Sequence, residues 1–475
     1  MGKTPKLTIA WQTSLRERNS YLVYFVGQNM FYQLIAGFLT TYLMMTGVNM
    51  LKAGTVVMAV KVWDAVNDAL FGALFDKVQF KSGKKCLPWV RISTVFIPLA
   101  SIFLFAIPTG SSETVKLAWF AVAYLLWDTA YTICDVPIYT MVTTITSNLD
   151  ERNTLMARRP ILAGIGMGAT TIAFTLFPSE SVGLSYTLTA VIVSVLATVT
   201  MIPIGVYGKE RNYDPNSRDE NFTIRQMFSY LVRNKYLLVY YGGYIAANAL
   251  LTNNTLSLIA SYYLFGDSMF NLVIGALSVV PQLILALVLP SILRRVDKFK
   301  AYVACNIANI VLGFVIFFGG YENVVFFLIF TVLRYIPASA IGIMNFMFTP
   351  DCAEYGRYKT GTDAKGITFA IQTFSAKITS AIASSLGMLI LGFFHWQEVS
   401  ASSFEELQAL GVTQTPEALR GLWITYALVP VLGYVAALVF YAFYKLNDKD
   451  VQIMAAVNAG ELSREEAEKQ LSRKY

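Results

Sequence analysis

Apolar runs of about twenty residues recur along the chain near 20–45, 53–76, 88–108, 117–143, 157–177 and 184–207. They recur again near 236–264, 268–293, 300–320, 323–349, 365–394 and 419–445. Each run has the length a helix needs to cross a hydrocarbon layer of about 30 Å. The pattern predicts an all-α polytopic membrane protein with about twelve transmembrane helices in two six-helix halves. Between the two sets lies "GKERNYDPNSRDENFTIRQM" (208–227), the most polar interior stretch. The implied organisation is an N-terminal half over 1–207, a cytoplasmic middle loop over 208–234, a C-terminal half over 235–446 and a cytoplasmic tail over 447–475. In the tail, Ser463 with Glu466 three residues on reads as a capping box that opens a short helix.

The loops between the runs set an orientation. One alternating set holds "DKVQFKSGKK", "DERNTLMARR", "GKERNYDPNSRDE", "RRVDKFK" and "EYGRYKTGTDAK". The other holds "TGVNMLKAG", "TGSSETVK", "PSESVG", "GGYENV" and a long segment whose only Lys or Arg is Arg420. The Lys/Arg bias puts the first set and both termini in the cytoplasm, as expected of a plasma-membrane protein. An even number of spans with both ends inside is consistent with that assignment.

Composition supports the same class. The 475 residues are 55% hydrophobic and 14% charged, against about 25% charged in a soluble domain. The formal net charge of +7 resides in short loops between apolar runs, which argues against nucleic acid as a partner and for the bilayer. Cys86, Cys134, Cys305 and Cys352 form no CxxC pair and read as reduced small hydrophobes. His395 is the only histidine, so a histidine metal site or a Ser–His–Asp triad is hard to assemble. No nucleophile–base pair stands out, so an enzyme is not expected, and no cofactor is expected.

A few polar residues break the apolar runs, and each charge at membrane depth costs roughly 2.5–3.5 kcal/mol on insertion scales. Asp64, Asn67 and Asp68 fall at i, i+3 and i+4 of the second run and share one helical face. Two carboxylates this close repel in low dielectric. The face therefore suits a proton or a small cation such as Na+, which prefers hard oxygen ligands. A pairing of Asp64 with Lys61 one turn away is the plainer alternative. In the fourth run Asp128, Thr132 and Asp135 fall at i, i+4 and i+7, with Tyr139 one turn further. A carboxylate beside an aromatic ring suits a sugar, whose hydroxyls donate to the acid and whose apolar face stacks on the ring. Arg159 opens the fifth helix. Arg334 lies mid-span in the tenth, either to bind an anionic substrate group or to pair with a buried acid. Lys377 lies mid-span in the eleventh, either neutralising an aspartate or touching substrate.

These residues sit in motifs that resemble a known family. "DAVNDALFGALFDKVQFKSGKKCLPW" resembles the second-helix and loop signature of the glycoside–pentoside–hexuronide:cation symporters of the melibiose-permease type. That signature is roughly D-A-x-N-D-P, a glycine, then a basic loop with G-K-x-x-P-W. "YTICDVPIY" resembles the fourth-helix motif Y-T-x-x-D-x-P. "DERNTLMARRPILAGIG" resembles the loop and fifth helix, and "DCAEYGRYKTGTDAKGITFAIQTFSAKI" the last large cytoplasmic loop and eleventh helix. The resemblance covers nearly the whole chain in order. It implies the major-facilitator fold and movement of sugars or glycosides with Na+, Li+ or H+. By motif it assigns Asp64, Asn67, Asp68 and Thr132 to the cation site, Asp135, Tyr139 and Arg159 to the sugar site, and Lys377 to the eleventh-helix lysine. There are departures. Asn29, with Gln28 before it, stands where the family carries a second sugar-binding aspartate. Asp128 replaces a glycine, Ala69 a proline, and Tyr139 a tryptophan.

The expected function is secondary active symport of a sugar or glycoside, a hexuronide included, coupled to Na+ or H+ by alternating access. The cation is expected on Asp64, Asn67, Asp68 and Thr132. The substrate is expected on Asn29, Asp128, Asp135, Tyr139, Arg159, Arg334 and Lys377. The alternatives are a carrier of the same fold for a lysolipid-type amphipath, and a membrane receptor that does not transport.

Overall fold

The computed structural model describes residues 11–78, 80–211, 224–361 and 365–475. Some helical side chains, those of Asp64 and Asp68 among them, lie outside the described residues, as does most of the polar stretch at 208–227. The described chain is helical throughout, with an isolated bridge between Thr46 and Ser400. It divides into two compact units. The first comprises Met1–Asn49, Ala59–Asp219 and Glu398–Val412; the second comprises Met50–Met58, Glu220–Gln397 and Thr413–Tyr475.

In the first unit α1 (Leu15–Gln33) continues through a π-helical turn, Leu34–Phe38, into Leu39–Met44. It is followed by α2 (Met50–Lys77), of which residues 59–77 belong to this unit, α3 (Cys86–Leu104), α4 (Glu113–Ile145), α5 (Leu149–Leu176) and α6 (Tyr186–Tyr207). The helix ends are explained by the polar residues beside them. Ser14 and Glu17 form a reciprocal capping box at the start of α1, and Asn148 accepts from the backbone of Asp150 and Glu151 at the start of α5. The first N–H groups of α3 have no intrahelical acceptor. Glu210 supplies one from 123 to 125 residues away in the sequence, accepting from Lys85 N and Cys86 N, each at 2.7 Å, and from Leu87 N. Glu151 binds the backbone of Gln12 and Thr13 and the hydroxyls of Thr13 and Thr146, so residues 12–13 are tied to α5.

Glycine lets α1 approach both its neighbours. A Cβ at Gly27 would lie 2.3 Å from the Ala197 carbonyl on α6, and one at Gly166 on α5 would lie 2.1 Å from the Val26 carbonyl. Small residues at such crossings are how helices associate in lipid, where apolar area alone gives no preference for helix over acyl chain. The close approach brings Gln28 and its neighbours against α4 and α5.

The second unit holds α7 (Lys235–Asn248), α8 (Asn253–Phe265), α9 (Phe270–Leu293), α10 (Lys298–Gly319), α11 (Val324–Met344), α12 (Phe348–Thr360) and α13 (Lys365–Phe393). Then come α14 (Pro416–Trp423), a π turn at Ile424–Leu428, α15 (Val429–Tyr441), α16 (Asp448–Asn458) and α17 (Arg464–Gln470). Its core is rich in tyrosine. Tyr302 donates to Asn345 Oδ1 at 2.8 Å and meets Tyr441 at 3.1 Å, and Tyr240 donates to the Asn345 carbonyl. The rings fill volume while the Tyr240, Tyr302 and Tyr441 hydroxyls find partners.

Ten helical stretches among the described residues are long and apolar enough to cross a membrane by length and composition. Two predicted spans take other forms. The run at 53–76 is α2, a helix of 28 residues interrupted by Lys61, Asp64 and Asp68. The run at 236–264 is α7 and α8, 14 and 13 residues long, where the apolar pattern implied one helix. Short polar side chains compete for the backbone at the break. Asn248 donates to the Tyr244 carbonyl at 2.8 Å, and the Thr252 hydroxyl donates to the Thr425 carbonyl. The stretch read as a loop after the tenth span contains a helix, α12, because Cys352, Tyr355 and Tyr358 bury one face of it.

The tail does form the capped helix that Ser463 and Glu466 imply. It is held by Asp450, which accepts from Ser472 N at 2.9 Å, Asn447 Nδ2 at 2.7 Å, and the Ser472 and Tyr475 hydroxyls. Burial raises the Asp450 carboxyl, but the Ser472, Tyr475 and Asn447 donors outweigh it and hold the group below the usual carboxylate range. A depressed folded-state pKa gives stability that is present above the unfolded value, about 3.9, and lost as pH falls through the folded one. The protection factors of the Leu471 and Ser472 amides, taken against the intrinsic exchange rate at each pH, are therefore expected to be high at pH 7 and low near pH 3. Asp450→Asn should lower that protection already at pH 7; wild-type protection in that variant contradicts the clasp.

Candidate functional site

Along α4, Asp128, Thr132, Asp135 and Tyr139 follow one another about one turn apart and form a polar strip in an apolar helix. The strip is held in rotation by Trp127. Its indole N–H donates to Ser101 Oγ on α3 at 3.0 Å, and its ring stacks on Tyr131 with centroids 5.0 Å apart.

At one end of the strip Asn67 of α2 meets it. Asn67 Nδ2 donates to Asp128 Oδ2 at 3.0 Å and to Thr132 Oγ1 at 3.1 Å, and all three side chains are buried. The Thr132 hydroxyl donates to the Asp128 carbonyl at 3.0 Å. The structure thus joins two residues of the expected cation set, Asn67 and Thr132, to Asp128, which the sequence had placed with substrate. Carboxylate, amide and hydroxyl oxygens lie together here, the donor set a small hard cation prefers. Asp64 and Asp68, which would add two carboxylates, lie outside the described residues by their side chains. Among the described residues no group of three His, Cys, Asp or Glu converges.

At the other end Gln28 of α1 donates through Nε2 to Asp135 Oδ1 at 2.5 Å. Gln28 is 1% exposed, and its Oε1 is buried with no hydrogen-bond partner. Asn29 does not join this pair; its Nδ2 turns back to the Phe25 carbonyl at 2.9 Å. One turn beyond Asp135, Arg159 of α5 lies over the Tyr139 ring at 4.6 Å and the Phe25 ring at 5.7 Å, and those rings meet edge to face. The Arg159 Nε is buried without a hydrogen-bond partner. A guanidinium beside aromatic rings, with its Nε–H unpaired, can offer that donor to a ligand. An acid, an amide, a ring and a guanidinium in this order can bind several hydroxyls and one apolar sugar face.

Arg334 and Lys377 lie in the second unit. Lys377 is half-buried on α13. Arg334 on α11 donates through Nε to Asn309 Oδ1 of α10 at 2.8 Å, and no acidic side chain pairs with it among the described residues. Of the two roles the sequence left open, the buried-acid pairing is not seen among the described residues.

Sequence reasoning missed Gln28 and Asn309. Gln28 follows Tyr21, Tyr24 and Phe25 at i, i+3, i+4 and i+7, a wholly buried face of α1, so helical phase marks it. Asn306 and Asn309 are likewise one turn apart in an apolar helix.

The chain is 25% identical over 451 residues to the isoprimeverose transporter of Lactiplantibacillus pentosus, covering 92% of this chain and 90% of that one. It is 28% identical over 449 residues to a putative sulfoquinovose importer of Salmonella typhimurium, covering 92% and 91%. In fold it matches the crystal structure of the nucleoside transporter NupG with a TM-score of 0.63 at 14% identity, covering 91% of this chain and 100% of that one. Residues 20–448 match the family model described as MFS/sugar transport protein, and the chain belongs to that family, as a membrane transporter and not an enzyme.

Proposed function

We propose that the protein imports a sugar or glycoside across the plasma membrane, coupled to Na+ or H+, by alternating access, with both termini in the cytoplasm. The observation that carries this reading is the polar strip of α4. At one end Asp128 and Thr132 are bonded to Asn67; at the other Asp135 and Tyr139 stand beside Gln28 and Arg159. The first cluster is the cation site, completed by Asp64 and Asp68, and the second holds the sugar. Asn67 links helices α2 and α4, so a cation that reorients its amide alters the helix that also carries Asp135. Coupling of this kind is reciprocal: cation tightens sugar and sugar tightens cation by the same factor. Similarity to an isoprimeverose transporter and to a putative sulfoquinovose importer supports a glycoside as cargo.

Equilibrium binding of a labelled glycoside to the purified protein tests the reading. With the right sugar, saturating Na+ at fixed pH, or protons at fixed Na+, should lower the glycoside Kd by roughly 5–150-fold. Whichever ion does so is the coupling ion. A Kd indifferent to both ions overturns the proposed symport.

A further inference from the structure

Between α9 and α10 the chain turns through "RRVDKFK" (294–300), a basic loop with no part in the cation or sugar clusters. This turn, the first turn of α12, the linker from α15 to α16 and the end of the chain together form an open basin of about 1110 Å³ in the second unit. Three apolar helical stretches long enough to cross a membrane start or stop at it: Phe270–Leu293, Lys298–Gly319 and Pro416–Tyr441. The basin therefore lies at the edge of the hydrocarbon layer, at the depth of lipid headgroups. Seven Lys and Arg side chains line it against three aspartates.

The three acids are already engaged. Lys298 Nζ lies 2.5 Å from Asp351 Oδ2 and 3.6 Å from Asp448 Oδ1. Asp297 accepts from Lys300 N at 3.1 Å and from Asp448 N at 3.0 Å, and Asp448 Oδ2 accepts from Lys298 N at 2.7 Å. These carboxylates fasten the starts of α10, α12 and α16 together, and among the basic side chains they take only Lys298. Arg294, Arg295, Lys300, Lys445, Lys449 and Arg473 are exposed, and no acid among the described residues pairs with them. Two observations set the basin apart from an ordinary solvated basic face. Asp450 holds Ser472, so Arg473 is brought back from the chain end to form a fixed wall. Apolar side chains are exposed beside the charges: Val296, in the lining, is 43% exposed, and Phe443, two residues before Lys445, is 67% exposed.

We propose that this basin binds the phosphate headgroup of an anionic phospholipid, with the tail of the chain as one of its walls. A guanidinium donates two parallel N–H groups to a phosphate, and the lysine ammonium groups add charge without fixed direction. Basic pockets beside membrane helices take anionic headgroups for this reason. The acyl chains of such a lipid leave the basin along Val296 and Phe443. A free phosphate meets the same charges but leaves those two side chains in water, so the lipid is the better ligand. Bound there, the lipid joins the tail to the turn between α9 and α10 through its headgroup.

Delipidated full-length protein in a neutral detergent is titrated with phosphatidylglycerol or phosphatidylcholine, and native mass spectrometry counts the lipid retained. One phosphatidylglycerol should bind the wild type on the order of 10–100-fold more tightly than the triple variant Arg294→Gln, Arg295→Gln, Lys449→Gln, since each Lys or Arg near an anionic headgroup is worth about fivefold. Phosphatidylcholine should bind both equally and weakly. Gln in place of Lys81, Lys209 and Arg233, which are exposed elsewhere, removes the same charge and should leave the phosphatidylglycerol Kd near wild type. Asp450→Asn reverses the sign of the plain electrostatic expectation. It makes the chain more positive, so diffuse attraction would tighten binding, whereas a basin that loses its Ser472–Arg473 wall binds several-fold more weakly. Wild-type or tighter binding by Asp450→Asn, equal losses in the clustered and scattered triple variants, or equal wild-type affinity for phosphatidylcholine overturns the inference. Inorganic phosphate equimolar with the lipid should leave it bound; displacement would make the ligand a soluble phosphate and overturn the lipid assignment.

Discussion

Asp128→Asn is expected to cut cation-driven glycoside uptake on the order of 100-fold while the protein remains folded. The substitution keeps an oxygen to accept from Asn67 Nδ2, now 3.0 Å from the carboxylate, and removes only the charge. A buried carboxylate at membrane depth is costly unless a cation or proton compensates it, so its charge has a role that its shape does not. Asp128→Ala differs: it leaves Asn67 Nδ2 with Thr132 alone and should also destabilise the first unit by about 1–3 kcal/mol. Uptake under an imposed gradient, with thermal stability of the same preparation as the control, separates the two effects. Full gradient-driven uptake by Asp128→Asn removes Asp128 from the cation site.

Arg159→Lys is expected to weaken glycoside binding by roughly 10–150-fold, the equivalent of about 1.5–3 kcal/mol, although the charge is kept. The guanidinium lies over Tyr139 and Phe25 at 4.6 and 5.7 Å, an arrangement that fixes a planar fork, and its Nε has no partner. An ammonium is a point charge on a flexible stem and reproduces neither the stacking nor the fork. Titration of labelled glycoside at saturating cation measures the loss. By linkage the cation affinity of the unliganded variant should stay near wild type, because Arg159 belongs to the sugar end of the strip. A wild-type glycoside Kd in Arg159→Lys contradicts that placement.

The apolar runs made the helices legible, because a membrane imposes both their length and their lack of charge. What they could not show is where a helix is interrupted inside an apolar run. The break at Ala249–Thr252 and the π turn at Ile424–Leu428 depend on a bond between Thr252 and Thr425, 173 residues apart. The capping box at Ser463 was legible since its two residues are three apart; the cap that Glu210 provides for α3 was not, since nothing local announces it. The polar strip of α4 follows from helical spacing alone. Its partners do not: the family pattern points to Asn29, whereas the packing of α1 turns Gln28 to Asp135 and leaves Asn29 bonded to its own helix. Asp128 departs from the family pattern, and only the contact with Asn67 and Thr132 places it beside the expected cation ligands.

Accumulation of a labelled glycoside in proteoliposomes, under an inward Na+ gradient, an inward proton gradient or neither, tests the coupled transport most directly. One of the two gradients is expected to drive the internal concentration above the external one, and an ionophore dissipating that gradient to return the two to equality. Glycoside that exchanges readily across the membrane, yet never exceeds its external concentration under either gradient, contradicts it.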